Sequence, residues 1–224
     1  MWPFQQPYAN PILQSYQDKT PRRLARQTPL VGQRLVALDL ETSGFKVGSD
    51  LVLSVGAVVF ECDEIQLSGI SHWFVRHERS PVNEATAVHG ILPSQSGRGE
   101  PEEAILESLL GVLEGAVIVG HHVGFDAAML DHALQRIFGI KLRNPLIDTA
   151  HLVMRNVDAF HRTGYANQHP PTLDEVCTKL GIPVTDRHTA AGDAFTTAQL
   201  FMFLCAKMRQ KLGRPLVTGD LPFL

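Results

Sequence analysis

Three apolar runs of strand length follow one another early in the chain: LVALDLE at 35–41, LVLSVGAVVF at 51–60 and ISHWFVRH at 70–77. The links between them are too short to hold a crossover helix, so neighbouring runs must lie antiparallel. Beyond them the pattern changes. EPEEAILESLLGVLEG (100–115) has helical spacing, with Ile105, Leu109 and Val112 on one side and early acids that suit a helix N-terminus. AVIVG (116–120) is a short buried strand, FDAAMLDHALQRIFG (125–139) a helix, and NPLIDTAHLV (144–153) a strand end running into a helix. TLDEVCTKLG (172–181) is a helix capped by Thr172 and closed by Gly181. TAAGDAFTTAQLFMFLCAKMRQKLG (189–213) is a long final helix, and the polar stretch 156–171, with Gly164, Pro170 and Pro171, is a surface loop. Three strands followed by alternating helices and strands predict an α/β fold, a mixed sheet flanked by helices.

With 224 residues, 44% of them apolar, the chain supplies one sizeable core with extensions. Residues 1–33, rich in Pro, Gln and Arg, read as an N-terminal extension packed on the body through Trp2, Phe4 and Tyr8. Residues 214–224 read as a C-terminal tail. The start lacks a basic and apolar leader pattern, and no apolar run approaches the roughly 18 residues of a membrane span, so a soluble protein with no membrane partner is expected. Cys62, Cys177 and Cys205 are far apart with no C-x-x-C pair; they read as small buried hydrophobes in a reduced, cytoplasmic protein. Charge is unevenly distributed. Residues 1–34 hold five basic groups and one acid, residues 206–224 four and one, and the body between carries 11 Lys/Arg against 21 Asp/Glu. Such a body repels phosphate unless a cation sits on it.

The first strand ends in an unusual way. Residues i and i+2 of a strand share a face, about 6.6 Å apart, so Asp39 and Glu41 point the same way at its C-terminal end. Two close, poorly solvated anions are costly. A divalent cation removes that cost, and all-oxygen ligands suit Mg²⁺ or Mn²⁺ rather than zinc; the plainer alternative is a strand that ends there with both acids solvated. Asp126 opens a helix just after a buried strand, the place where α/β sheets build sites, or else is an acid favoured by the helix dipole. Asp193 lies within the first turns of the last helix beside Ala190, Ala194, Ala198 and Phe201, with His188 on the loop before it. His169 reads as exposed, and His121 and His122 as histidines hydrogen-bonded near a strand end.

Together these stretches resemble the DEDDh family of 3′–5′ exonucleases, in its proofreading epsilon-type branch, over residues 35–205. LDLETSG carries Asp39 and Glu41, GHHVGFDAAML carries Asp126, and RHTAAGDA carries His188 and Asp193; EATAVHGI (84–91) and IDT (147–149) are similar to further family segments. The resemblance implies an RNase H-like, mixed five-stranded sheet, an antiparallel meander plus parallel strands, with residues 34–213 as the exonuclease domain. It implies two Mg²⁺ (or Mn²⁺) held by Asp39, Glu41, Asp126 and Asp193, His188 as general base, and release of 5′-mononucleotides. It also implies contacts to the terminal nucleotide from Glu84, His89 and the backbone after Glu41, at Thr42 and Gly44. His122 stands where the family often has Asn, a departure that bears on nucleotide positioning. Phe125 is either a wedge against a base or a core residue beneath the loop. Two ions would bring the body from −10 to about −6, so the expected partners are single-stranded 3′ ends or short oligonucleotides of DNA or RNA rather than long duplexes, with a polymerase or other protein as a further partner. The basic ends (Arg22, Arg23, Arg26 and Lys207, Arg209, Lys211) read as solvated or as strand contacts. Rival expectations are an RNA-specific, oligoribonuclease-type enzyme and a non-catalytic partner-binding module of the same fold. H-E-x-x-H, P-loop and Rossmann glycine patterns are absent, which disfavours other metalloenzyme and nucleotide-binding classes.

Overall fold

A computed structural model describes residues 10–161 and 169–224; Trp2, Phe4, Tyr8 and part of the 156–171 loop lie outside the described residues. Five strands form one sheet: β1 (Leu35–Thr42), β2 (Val52–Phe60), β3 (Ile65–Phe74), β4 (Val117–Gly120) and β5 (Leu146–Asp148). Their order is β3-β2-β1-β4-β5. The first three strands pair antiparallel and β1, β4 and β5 pair parallel, the mixed arrangement expected from a meander followed by crossovers. β3 differs from the sequence reading: it starts at Ile65 and stops at Phe74. Its first residues, IQLSG, are mostly exposed on the edge and lack a buried face that would mark them as a strand.

Side-chain alternation divides the core in two. Leu35 and Ala37 of β1 pack with Val58, Phe60, Val117 and Val119 on one face. That face is covered by α6 (Thr149–Asn156), α7 (Leu173–Leu180) and α8 (Ala190–Leu212). Val36, Leu38 and Leu40 point to the other face, under α1 (Pro11–Lys19), α4 (Glu102–Leu113) and α5 (Gly124–Phe138). Two short helices, α2 (Glu84–His89) and α3 (Pro93–Ser96), bridge β3 and α4. They are too short to show a periodic apolar stripe, though Asn83 makes a capping box with Thr86 at the start of α2.

The segment read as an extension is integrated into the fold. In α1, Asn10 caps the N-terminus and Leu13 and Tyr16 are buried against α4. The Tyr16 hydroxyl donates to Asn144 Oδ1 (2.6 Å) and accepts from the Arg143 backbone N–H (2.8 Å). Packing of the extension thus runs through Leu13, Tyr16 and Leu30. The tail returns beside it: Leu30 N–H donates to Leu216 O and Pro29 bridges Val217. Phe223 bridges Ile147, and Leu224 N–H donates to Leu146 O on the outer side of β5. Cys62, Cys177 and Cys205 are all buried and free. Among the described residues no helix is long and apolar enough to cross a membrane.

Candidate active site

Asp39 and Glu41 have the same side-chain parity as Leu35 and Ala37, so they project from β1 toward the α8 face. The first turn of α8 meets them because β2 has no side chain at Gly56, the partner of Asp39 in the ladder. A Cβ there would lie 2.1 Å from the Ala190 backbone. Gly192, in the same first turn, lets the loop before α8 fold back against it, since a Cβ there would lie 2.2 Å from Asp186 O. Thr189 caps α8 by accepting from Gly192 N–H, and this places Asp193 above β1. Carboxylate oxygens of Asp39, Glu41 and Asp193 all lie within 4.8 Å of one another.

Asp126 comes from the other side. Near the N-terminus of α5 it is buried, and its Oδ1 accepts from Leu40 N–H at 3.0 Å. It stands next to the three clustered acids without joining their close group. Burial and neighbouring carboxylates act on Asp39, Glu41 and Asp126. Burial, then Asp126, Asp193 and Glu41, hold Asp39 well above the usual carboxylate range. Glu41 is pushed up to about 7 by burial and by Asp193. Asp126 is pushed up to about 7 by burial, with Glu41 and Asp148 adding to it, against the lowering effect of two backbone N–H groups. The single cation in the cluster is Arg187. Its fork bonds both oxygens of Asp174 in α7, and its Nη1 makes an ion pair with Asp193 Oδ1. Asp193 Oδ1 is buried with this ion pair as its contact.

Crowded, buried, all-oxygen acids fit a divalent cation, and among the described residues no thiol or imidazole joins their group.

The remaining sequence candidates fall around this cluster. His188 is exposed on the loop before α8, in a left-handed conformation (φ 61°) next to Arg187, and among the described residues its ring makes no hydrogen bond or ion pair. Thr42 is buried and its hydroxyl donates to Gly44 O. At Gly44 a Cβ would lie 2.6 Å from the Asp50 carboxylate, so a side chain there would have to displace it. Asp50 accepts from the Ser43 hydroxyl and Lys46 N–H and so shapes the turn. Glu84 is exposed at the start of α2. His89 is buried; its Nδ1 accepts from Ile91 N–H, and its Nε2 faces the Thr42 backbone without a hydrogen bond of ordinary geometry. Burial lowers its pKa.

His122 adopts φ 62°, a left-handed position in which Asn, Asp and His are enriched among residues other than glycine. Its ring bonds Pro171 O, as does that of His121, whose other nitrogen meets the Thr149 hydroxyl. Burial holds His121 down at about 4, so it is neutral. Phe125 packs at the edge of the core and also faces Phe45, with ring centroids 5.7 Å apart. Three contributors escaped the sequence reading. Phe45, 86% exposed, was visible as the aromatic after the TSG turn. Asp148 accepts from His122 N–H and caps α6, and was visible in IDT. Arg187 had no signal beyond its place before His188.

A family model described as an exonuclease family, RNase T, matches residues 36–201. Ribonuclease T from a Shewanella species is 29% identical over 201 residues, 82% of this chain and 87% of its own. The DNA polymerase III subunit epsilon-like protein of Rhodobacter capsulatus is 29% identical over 188 residues, 83% of this chain. The polymerase-named relatives are much longer: the chain spans 25% of that protein and 13% of a PolC-type DNA polymerase III. Among solved structures, E. coli exonuclease I in complex with a dT13 oligonucleotide superposes with a TM-score of 0.66 at 16% identity, covering 81% of this chain and 43% of that one.

Proposed function

The chain belongs to the RNase T exonuclease family, and from that premise we propose that it is a metal-dependent 3′–5′ exonuclease. It would remove 5′-mononucleotides from single-stranded ends. The observation that carries this reading is the convergence of Asp39, Glu41 and Asp193 within 4.8 Å at the end of the central parallel strand. These three, with the free oxygen of Asp126, would hold the ions. When bound, Mg²⁺ or Mn²⁺ would offset the charge developing on the phosphate and lower the pKa of the attacking water.

The protein's own residues divide the remaining work. His188, on an exposed loop, would accept the proton of the water. Phe45 and Phe125 would stack the terminal base, a contact worth about 1–3 kcal/mol. Glu84, His89 and the Thr42–Gly44 backbone would meet the sugar, with His122 beside them once its bond to Pro171 is given up. We divide the chain into an extension (1–33), an exonuclease domain (34–213) and a tail (214–224), and place it in the reducing cytoplasm on the strength of its three buried free thiols. A protein partner such as a polymerase remains part of the proposal through the polymerase-named relatives.

The test is a pair of variants assayed on single strands with Mn²⁺. Asp39→Ala is expected to lose at least about 100-fold in rate together with metal binding by calorimetry. His188→Ala should lose a similar factor and keep the metal. A native rate in His188→Ala sinks the assignment of the base, and no nucleotide release by the unaltered protein favours a non-catalytic binding module. A second reading, RNA-specific trimming, is favoured by ribonuclease T being matched over 87% of its length. Release rates from matched DNA and RNA strands separate the two, since only RNA offers a 2′-hydroxyl.

A further inference from the structure

At the opposite end of the parallel strands from the carboxylates, a cavity of about 580 Å³ opens where the chain enters β5. Arg22, Arg23 and Arg26 line it from the segment after α1, Arg155 from α6, and Pro145 and Phe223 form flat apolar wall. None of its lining residues is Asp or Glu. Several other arginines are engaged with protein partners, Arg136 with Glu102, Arg187 with Asp174 and Arg214 with Asp220. The four at this cavity are exposed and make no hydrogen bond or ion pair among the described residues.

The backbone around Arg26 is nevertheless fixed. Gly219 N–H donates to Arg26 O at 2.7 Å, Thr218 N–H to Thr28 O, and the Thr218 hydroxyl to Ala25 O. Phe223 is held by its bridge to Ile147. An acidic body thus gathers four uncommitted guanidinium groups around one walled space. Their planar forks match phosphate oxygens. The volume lies in the range of small-ligand sites, roughly 300–1,000 Å³, well beyond what one phosphate fills. The aromatic and proline walls offer a face for a base.

We propose that this cavity binds a nucleotide through its phosphate, at a site separate from the carboxylate cluster. The nucleotide has two sources, a free mononucleotide or a unit of a strand whose end lies elsewhere. That a free mononucleotide would be the product of the reaction rests on the exonuclease reading; the cavity does not.

Binding is measured in EDTA, where the metal-free acids repel phosphate and no hydrolysis occurs, so the outcome is independent of the proposed activity. Probes are a labelled nucleoside 5′-monophosphate, a labelled oligothymidylate and inorganic phosphate. Arg26→Gln/Arg155→Gln is expected to weaken both nucleotide probes at least about tenfold. For the strand it should also flatten the dependence of log K on log salt by about 0.7 per lost contact. Lys207→Gln/Lys211→Gln, which removes the same charge from the end of α8, should change binding less than about twofold. Arg155→Lys keeps the charge but loses the fork, and should fall between. Binding of the mononucleotide identifies a free ligand; binding of the strand alone identifies a strand contact; either supports the site. Equal losses in the two double variants, competition by inorganic phosphate as effective as by nucleotide, or no binding of any probe would each overturn it.

Discussion

At the level of single residues, Arg187 is the group whose removal says most about the cluster. Among the described residues it is the one Lys or Arg in contact with acids that otherwise repel one another, and it sits on Asp193 where a metal ion would also bind. Arg187→Gln is therefore expected to tighten Mn²⁺ binding at pH 8 by about threefold to tenfold, the scale of one partly buried ion pair at ~1 kcal/mol. Titration calorimetry reads this directly, and weaker binding would show that Arg187 organises Asp193 instead of competing for it. Most of the carboxylate site was legible in the sequence. Strand parity alone puts Asp39 and Glu41 on one face, and a helix acid beside alanines has to point inward. Arg187 was not legible, because nothing in RHTAAGDA says that a guanidinium turns back onto Asp174 and Asp193. The left-handed backbone at Asp186, His122 and His188 was equally hidden, since none of these is glycine.

At the level of elements, the site depends on how closely α8 approaches the sheet. Gly56→Ala would place a methyl 2.1 Å from the Ala190 backbone, which cannot swing aside as a flexible side chain could. The expected result is a loss of about 1–3 kcal/mol from overpacking, seen in urea unfolding. Weaker Mn²⁺ binding should accompany it as Asp193 moves away from Asp39. A stable variant with native metal affinity would show that α8 can shift without disturbing the acids. The long helices were readable within a residue or two because each buries an extended apolar stripe. By contrast α1 lies in a stretch whose polar surface obscures its two buried anchors, Leu13 and Tyr16. The start of β3 was unreadable for a related reason: an edge strand with both faces largely wet has no period to detect.

For the molecule as a whole, two predictions concern cohesion. Tyr16→Phe removes a hydroxyl that serves Asn144 and Arg143 together. Burial pushes that hydroxyl's pKa up to about 12. Leaving both partners unsatisfied should cost about 1–3 kcal/mol, measured by thermal or urea unfolding; a neutral result would mean that α1 is dispensable to the fold. The second concerns protons. In the folded, metal-free protein Glu41 and Asp126 titrate at about 7, whereas an unfolded chain releases those protons at about 4. Between these values the folded state binds more protons, so its stability in EDTA should fall as pH rises from about 4 to about 7 and then level off. Mg²⁺ should raise the melting temperature more at pH 8 than at pH 5. A metal-free melting temperature that climbs over this interval would contradict the raised carboxyls.

The two margins of the sheet are unlike. Phe223 and Leu224 occupy the outside of β5, while among the described residues β3 is held from outside near Phe74, by Glu100. From Ile65 to Trp73 its outward peptide groups meet no strand of the described residues, and Leu67 stands 71% exposed among them. Lateral growth of this sheet consequently has one open direction. A charged residue in place of Leu67 would act as a guard there, and should suppress self-association of concentrated protein without reaching the acids on the far side of β2.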